Sequence, residues 1–272
     1  MTTLKQYNYL YVGCGSHRLA GFTHVDIDYA KNFKKGISIK PPEILCDITK
    51  EIPCKDNSVK LIFSRETLEH LKYRELINHL IECHRILKKD GILRICVPDL
   101  DLMIKKFLVK KESIEKARQN WELDKDFPIN NYSQLFVART MYHDHNYNHN
   151  FETMKACLDL VGFENIEKCS AGKLKFKNVN NNILEEISIA EKESEEHLLY
   201  ITAIKKRGNT KCSKFNLKEK NNLLNTILIK LFNLNIKPFN NRRTHFPQKV
   251  FFKEKIFKIK KLLGFKFLDI LF

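Results

Sequence analysis

Two glycines and two carboxylates mark the first place where this chain could do chemistry. In LYVGCGSHRLAGFTHVDID, running from Leu10 to Asp28, Gly13 and Gly15 close one apolar run, and Asp26 and Asp28 close the next. A glycine pair after a strand lets the backbone turn tightly and approach a ligand that a Cβ would repel. A carboxylate can take two neighbouring O–H donors at once. Such a pairing suits a nucleotide-type cofactor seated across two neighbouring strand ends. A dinucleotide is a poor match, because the GxGxxG fingerprint needs a third glycine where Arg18 stands and an acid about 20 residues further on. Asp26 follows Gly15 by eleven residues, which leaves no room for a full crossover helix.

The elements that must position these residues are legible as short apolar segments alternating with longer ones of helical period, the pattern of a parallel sheet covered by helices. Strands are expected at Tyr9 to Val12, Thr23 to Ile27, Glu43 to Cys46, Val59 to Phe63, Ile92 to Val97, Glu164 to Cys169 and Leu198 to Ile204. The clearest helix is Tyr73 to Leu87, with Leu76, Ile77, Leu80, Cys83 and Leu87 at three- and four-residue spacing before an Asp90-Gly91 turn. A second is expected from about Phe151 to Val161, stopped by Gly162. Residues 99–150 read as helix and loop inserted at the carboxyl ends of strands, where substrate sites are usually built.

The first stretch resembles that of class I S-adenosylmethionine-dependent methyltransferases, in particular the type 11-like small-molecule or glycan enzymes. ILCDITKEIPCKDNSVKLIFSRETLEHL and HRILKKDGILRICVPD resemble the later segments of that family, in order and spacing. The resemblance covers about residues 8 to 204. It implies an α/β fold that is Rossmann-like and doubly wound, with a mostly parallel seven-stranded sheet and helices on both faces. It implies S-adenosylmethionine as cofactor, with Gly13, Cys14 and Gly15 under its methionine part, Asp26 on the ribose hydroxyls and Ile27 and Asp28 beside it. Asp47 and Ile48 match the adenine position, and Ser64 and Arg65 face the methionine end and the substrate. The family often has an aspartate where Lys60 stands and an aromatic residue where Cys54 stands.

Methyl transfer from a sulfonium is an in-line displacement, so the protein chiefly supplies position and water exclusion. A hydroxyl acceptor also wants a base. His70 in LEHL and His143, His145 and His149 in MYHDHNYNHNFE supply candidates, and His70 and His149 match positions often held by histidine in similar proteins. No metal is expected: histidines at i, i+2 and i+6 do not share one helical face, and no HExxH motif is present. The reading is a methyltransferase acting on a hydroxyl of a small-molecule or saccharide acceptor and, as the resemblance implies, serving surface-polysaccharide synthesis. The alternatives are an RNA or protein methyltransferase and a non-catalytic S-adenosylmethionine-binding protein of the same fold.

Charge divides the chain. Residues 205–272 hold 18 Lys and Arg against 3 Asp and Glu, a net +15, whereas the first 204 residues are nearly neutral at +1. That division places a boundary between a methyltransferase domain at 1–206 and a basic amphipathic extension at 207–272. On a helical period Phe252, Ile256, Ile259, Leu263, Phe267 and Ile270 form one stripe beside Lys255, Lys260 and Lys266, a basic interfacial pattern that Phe257 and Leu268 interrupt. Residues 249–272 are therefore expected to touch an anionic membrane surface, or to dock on the enzyme body or a second subunit; nucleic acid is disfavoured by the neutral body. Eight scattered cysteines without a CxxC and without a signal peptide point to a reduced, cytoplasmic setting, with Cys14, Cys46 and Cys96 as buried hydrophobes. No window reaches the roughly 18 apolar residues of a membrane span.

Overall fold

A computed structural model describes residues 7–27, 40–109, 114–115, 129–141, 145–174, 176, 178–193 and 197–206. Asp28, His143 and the basic extension, with the boundary placed at 206, lie outside the described residues.

Seven strands form one sheet: β1 (Tyr9–Val12), β2 (Thr23–Asp26), β3 (Ile44–Leu45), β4 (Val59–Arg65), β5 (Leu87–Pro98), β6 (Glu164–Cys169) and β7 (Leu198–Ile204). Their order is β3-β2-β1-β4-β5-β7-β6. The first five pair in parallel, and β7 runs antiparallel to both β5 and β6. The order reverses between β1 and β4, and in open sheets of this kind ligands sit outside the carboxyl ends of the strands at such a reversal.

Helices α1 (Tyr73–Ile86), α2 (Leu100–Leu108), α3 (Tyr132–Met141), α4 (Phe151–Val161) and α5 (Asn181–Lys192) follow in chain order. Leu76, Ile77, Leu80 and Cys83 of α1 and Met154, Cys157, Leu158 and Val161 of α4 share one core cluster with Leu10, Val12, Ile62 and Ile95 of the sheet. The opposite sheet face, with Tyr11, Leu61, Phe63 and Cys96, packs on Ile183, Ile187 and Ala190 of α5. Helices therefore cover both faces, as the doubly wound reading requires.

Helix α5 was absent from the sequence reading, and it settles how β1 joins β2. Residues 13–22 form turns and no helix. The space a crossover helix would fill is covered by α5: a Cβ at Gly21 would meet Ile183 Cδ1 at 2.7 Å, and Ala20 N donates to Glu186 Oε2 at 2.9 Å. Asn180 caps α5 by accepting from Asn182 N. Arg94, on β5, makes a bidentate pair with Glu191 of α5, Nε to Oε1 at 2.6 Å and an amino nitrogen to Oε2 at 2.8 Å, both side chains fully buried.

Several boundaries move. Strand β2 stops at Asp26 rather than Ile27, β3 shrinks to two residues and β4 runs on to Arg65. Helix α1 ends at Ile86, and Leu87 already pairs with Val59; Ile92 then pairs with Leu61, so residues 88–91 bulge out opposite Lys60. The Asp90-Gly91 turn lies within that bulge, Asp90 at φ +60°. Helix α4 closes on Gly162 at φ +110°, as its sequence requires.

Candidate functional site

At the β1/β4 reversal the chain is stitched together by short contacts. Gly13 N donates to Val25 O at 2.8 Å, tying the loop after β1 to β2. Thr67 Oγ1, just past β4, shares its proton between Arg65 O at 2.9 Å and Gly13 O at 3.1 Å. Gly13 has φ +67°, and a Cβ there would lie 2.1 Å from Thr67 Cγ2. Gly13 is therefore a packing glycine as well as a turn glycine. Gly15, at φ +49°, has nothing within 4 Å of where its Cβ would stand. Open space beside a left-handed glycine is room that a ligand can take.

Asp26 closes this space. Its Oδ2 accepts from Gly15 N and its Oδ1 from Ile27 N, each at 2.7 Å. Each oxygen keeps a further acceptor site, so the carboxylate fits two vicinal hydroxyls. The residues present therefore fit the nucleoside cofactor that the resemblance implies. Arg18, in the place of a third glycine, donates to Gly15 O at 2.8 Å and His17 O at 2.7 Å, and also reaches Lys40 O. It holds the loop where a dinucleotide fold would pack a helix.

The corner expected for adenine differs in detail. Ile48 is buried in the core, and its carbonyl meets His79 Nδ1 at 3.1 Å. Exposed apolar surface at these strand ends comes from Ile27 and from Leu45, whose Cα pairs with that of Asp26. Leu45 was not singled out in the sequence, although its place at the end of an apolar run before Cys46-Asp47 was readable. Asp47 Oδ1 accepts from Thr49 N at 3.0 Å and Thr49 Oγ1 at 2.6 Å, and the Thr49 hydroxyl leads the effects that lower its pKa.

Strand alternation separates Ser64 from Arg65. Ser64, in phase with Ile62, lies on the α1/α4 side, buried, its Oγ without a hydrogen-bond partner among the described residues. Arg65 points to the α5 side, where it donates to Ala190 O at 2.7 Å and pairs with Glu193 at 3.2 Å and Glu66 at 3.0 Å. The guanidinium expected beside the methionine end is thus engaged in holding α5. Cys14 is buried, and burial pushes its thiol up to about 11, so only its main chain can line the loop.

His70, expected on the acceptor side, lies in a 3-10 turn, Leu68–His70. Glu69 is 1% exposed; burial pushes its carboxyl up to about 8, and Oε2 has no hydrogen-bond partner among the described residues. The segment before α4 is fastened across this turn: Asn146 N and Tyr147 N both donate to Glu69 O, at 2.8 and 3.1 Å, and Asn146 Nδ2 donates to His70 O at 2.7 Å. This sets the His145 ring edge-on to that of His70, centroids 5.0 Å apart. Sequence reading had grouped His145 with His143 and His149; instead it joins Glu69 and His70, ligand-type atoms of all three lying within 4.8 Å of one another. Glu69 itself was missed, because a carboxylate in a short turn gives no periodic signal.

His149 sits at the end of β5, where it forms an isolated bridge with Asp99 and its carbonyl accepts from Leu100 N at 2.9 Å. Its ring is fully buried, 4.8 Å from that of Tyr147, with no hydrogen-bond partner for either nitrogen among the described residues. Burial lowers its pKa to about 4, so the imidazole is neutral at pH 7.

Residues 10–95 match the family described as a methyltransferase domain. An uncharacterised protein of Methanocaldococcus jannaschii is 31% identical over 105 residues, which is 37% of this chain and 45% of that one, so the chain matches less than half of that relative's length. Among solved structures, a SAM-dependent methyltransferase of Thermotoga maritima, described as a possible histamine N-methyltransferase, aligns with 17% identity over 75% of this chain and 84% of that one, TM-score 0.41. A SAM-dependent methyltransferase of Archaeoglobus fulgidus aligns with 14% identity over 74% and 87%, TM-score 0.39.

Proposed function

We propose that this protein binds S-adenosylmethionine at the β1/β4 reversal and methylates a hydroxyl of a small-molecule or saccharide acceptor, a reading that the match of residues 10–95 to the methyltransferase family supports. The observation that carries the donor reading is the open space at Gly15 beneath an Asp26 carboxylate with two acceptor sites to spare. When bound, the cofactor supplies an electrophilic methyl on a sulfonium. The chain's own residues do the rest. Gly13 and Gly15 shape the loop, Asp26 holds the ribose, and Ile27 and Leu45 offer apolar surface to the base.

On the acceptor side, His149 is neutral and buried, able to accept a hydrogen bond from a hydroxyl and hold its oxygen in line. A group whose pKa is about 4 is a weak proton acceptor at neutral pH, so it orients better than it deprotonates. The saccharide class rests on the family resemblance. The charge division supports the further proposal that the +15 extension holds a cytoplasmic enzyme against an anionic membrane surface, beside a lipid-linked acceptor.

Calorimetry of the purified chain with S-adenosylmethionine and with S-adenosylhomocysteine tests the donor reading. One site for each is expected, together with release of S-adenosylhomocysteine in the presence of an acceptor. No binding of either, or displacement of the donor by micromolar NAD, refutes it. Sedimentation with anionic vesicles tests the extension: Lys255→Glu, Lys260→Glu and Lys266→Glu together should abolish it at low salt, and indifference of the unaltered chain to such vesicles would sink that part.

A further inference from the structure

We propose that Glu69, His70 and His145 form a binding site for a first-row divalent cation on the acceptor side of the methyl-donor loop. The three ligand-type atoms come from two segments about 75 residues apart in the chain and lie within 4.8 Å of one another. Two imidazoles and a carboxylate are the ligand set of a three-coordinate protein face with open positions, suited to zinc, manganese, iron or cobalt rather than to magnesium or calcium.

A second observation points the same way. Glu69 is 1% exposed, and its Oε2 has no hydrogen-bond partner among the described residues. A buried carboxyl oxygen left without a partner is costly, and a cation taking the place of the carboxyl proton supplies the missing contact. The geometry is also pre-set. Three hydrogen bonds from Asn146 and Tyr147 to the carbonyls of Glu69 and His70 fix the His145 segment over the turn. Thr67, which contacts Gly13 O at 3.1 Å, precedes Glu69 by two residues, at most about 7 Å of chain.

Bound there, the cation would hold the acceptor through its open positions and lower the pKa of a coordinated hydroxyl. The hydroxyl proton leaves to solvent. The oxygen pair then forms the new C–O bond while the C–S pair stays on sulfur, so alcohol and sulfonium give ether, thioether and one proton, with no change of oxidation state. His70 is on this account a ligand and not the base. This role rests on the proposed methyl transfer, but cation binding does not.

Titration of the full chain with Co2+ alone, followed by its visible absorption, tests the site. One equivalent is expected, with nitrogen and oxygen ligation and no thiolate charge-transfer band. His145→Ala should weaken binding by about 100-fold, with its circular dichroism unchanged, and Glu69→Gln provides a second variant should the first not fold. Equal affinity in either folded variant, or thiolate bands that show binding by cysteines, overturns the proposal. S-adenosylmethionine binding measured on the same samples reports separately on the donor reading: cobalt bound without it upholds the site while refuting that reading.

Discussion

Thr67 and Gly13 meet across the point where the sheet reverses its order: the threonine hydroxyl donates to the glycine carbonyl at 3.1 Å, and its methyl lies 2.1 Å from where a glycine Cβ would stand. Gly13→Ala therefore carries two separable costs, a left-handed backbone at φ +67° and a steric overlap. The first is about 1–2 kcal/mol, and overpacking adds about 1–3 kcal/mol. Urea unfolding of Gly13→Ala, Thr67→Ala and the double variant should show that the threonine change relieves part of the overlap and none of the backbone cost, since the Cβ at 67 would still lie 2.7 Å from the new methyl. Strict additivity of the two would mean that the contact does not form.

Gly15 and Asp26 should separate binding from stability. Gly15→Ala fills empty space, so folding should lose only the backbone term of about 1–2 kcal/mol, while affinity for S-adenosylmethionine falls. Asp26→Ala removes the acceptor for Gly15 N as well as for the ribose. Donor affinity should drop by about 1.5–3 kcal/mol. Calorimetry on folded variants decides it, and unchanged affinity in Asp26→Ala would remove Asp26 from the ribose role.

The loop and acid proposed as the donor site stand out in the sequence because their signals are local. A glycine pair and an acid eleven residues on lie at the ends of two strands whose apolar residues announce them, and the strands were expected close to where they lie, although β6, ENIEKC, is mostly polar. What stayed hidden depends on distant packing. Helix α5 opens on the Asn-rich stretch NVNNN, which masked the Ile183, Ile187, Ala190 spacing that seats it on Tyr11, Phe22 and Phe63. Arg65 looked like a site residue because it follows β4, and only α5 shows where its charge goes. Glu69 and His145 meet through main-chain hydrogen bonds to Asn146 and Tyr147, a relation that side-chain type and spacing cannot encode.

The Arg94–Glu191 pair should be expensive to break from one side. Both side chains are fully buried, and Glu191 Oε2 also accepts from Gly172 N at 2.7 Å. Arg94→Met leaves a buried carboxylate without its countercharge, an expected loss of about 3–5 kcal/mol. Arg94→Met with Glu191→Met should cost less than the sum of the two single changes. Denaturant unfolding measures both, and additive losses would show that the two charges are not coupled.

Acid should draw on the fold through its buried histidines. Burial lowers His79, His84 and His149 from an ordinary 6.5 to about 4 each. Between those values each imidazole is protonated in the unfolded chain and not in the folded one, so its contribution is complete above pH 6.5 and declines as pH falls towards 4, whereas Glu69, raised to about 8, acts in the opposite sense, its share growing as pH falls from 8 towards 4.5. Each imidazole accounts for roughly 2 kcal/mol at pH 5. His149 offers the cleanest test, because neither of its nitrogens has a hydrogen-bond partner among the described residues. His149→Leu should leave stability at pH 7 unchanged or slightly higher, and flatten the decline at pH 5 by one histidine's share. If His149 also orients the acceptor, the same variant keeps its affinity for S-adenosylmethionine and loses methyl transfer. A variant as acid-sensitive as the parent would show that His149 does not titrate with unfolding, and one with unaltered turnover would remove it from the acceptor side.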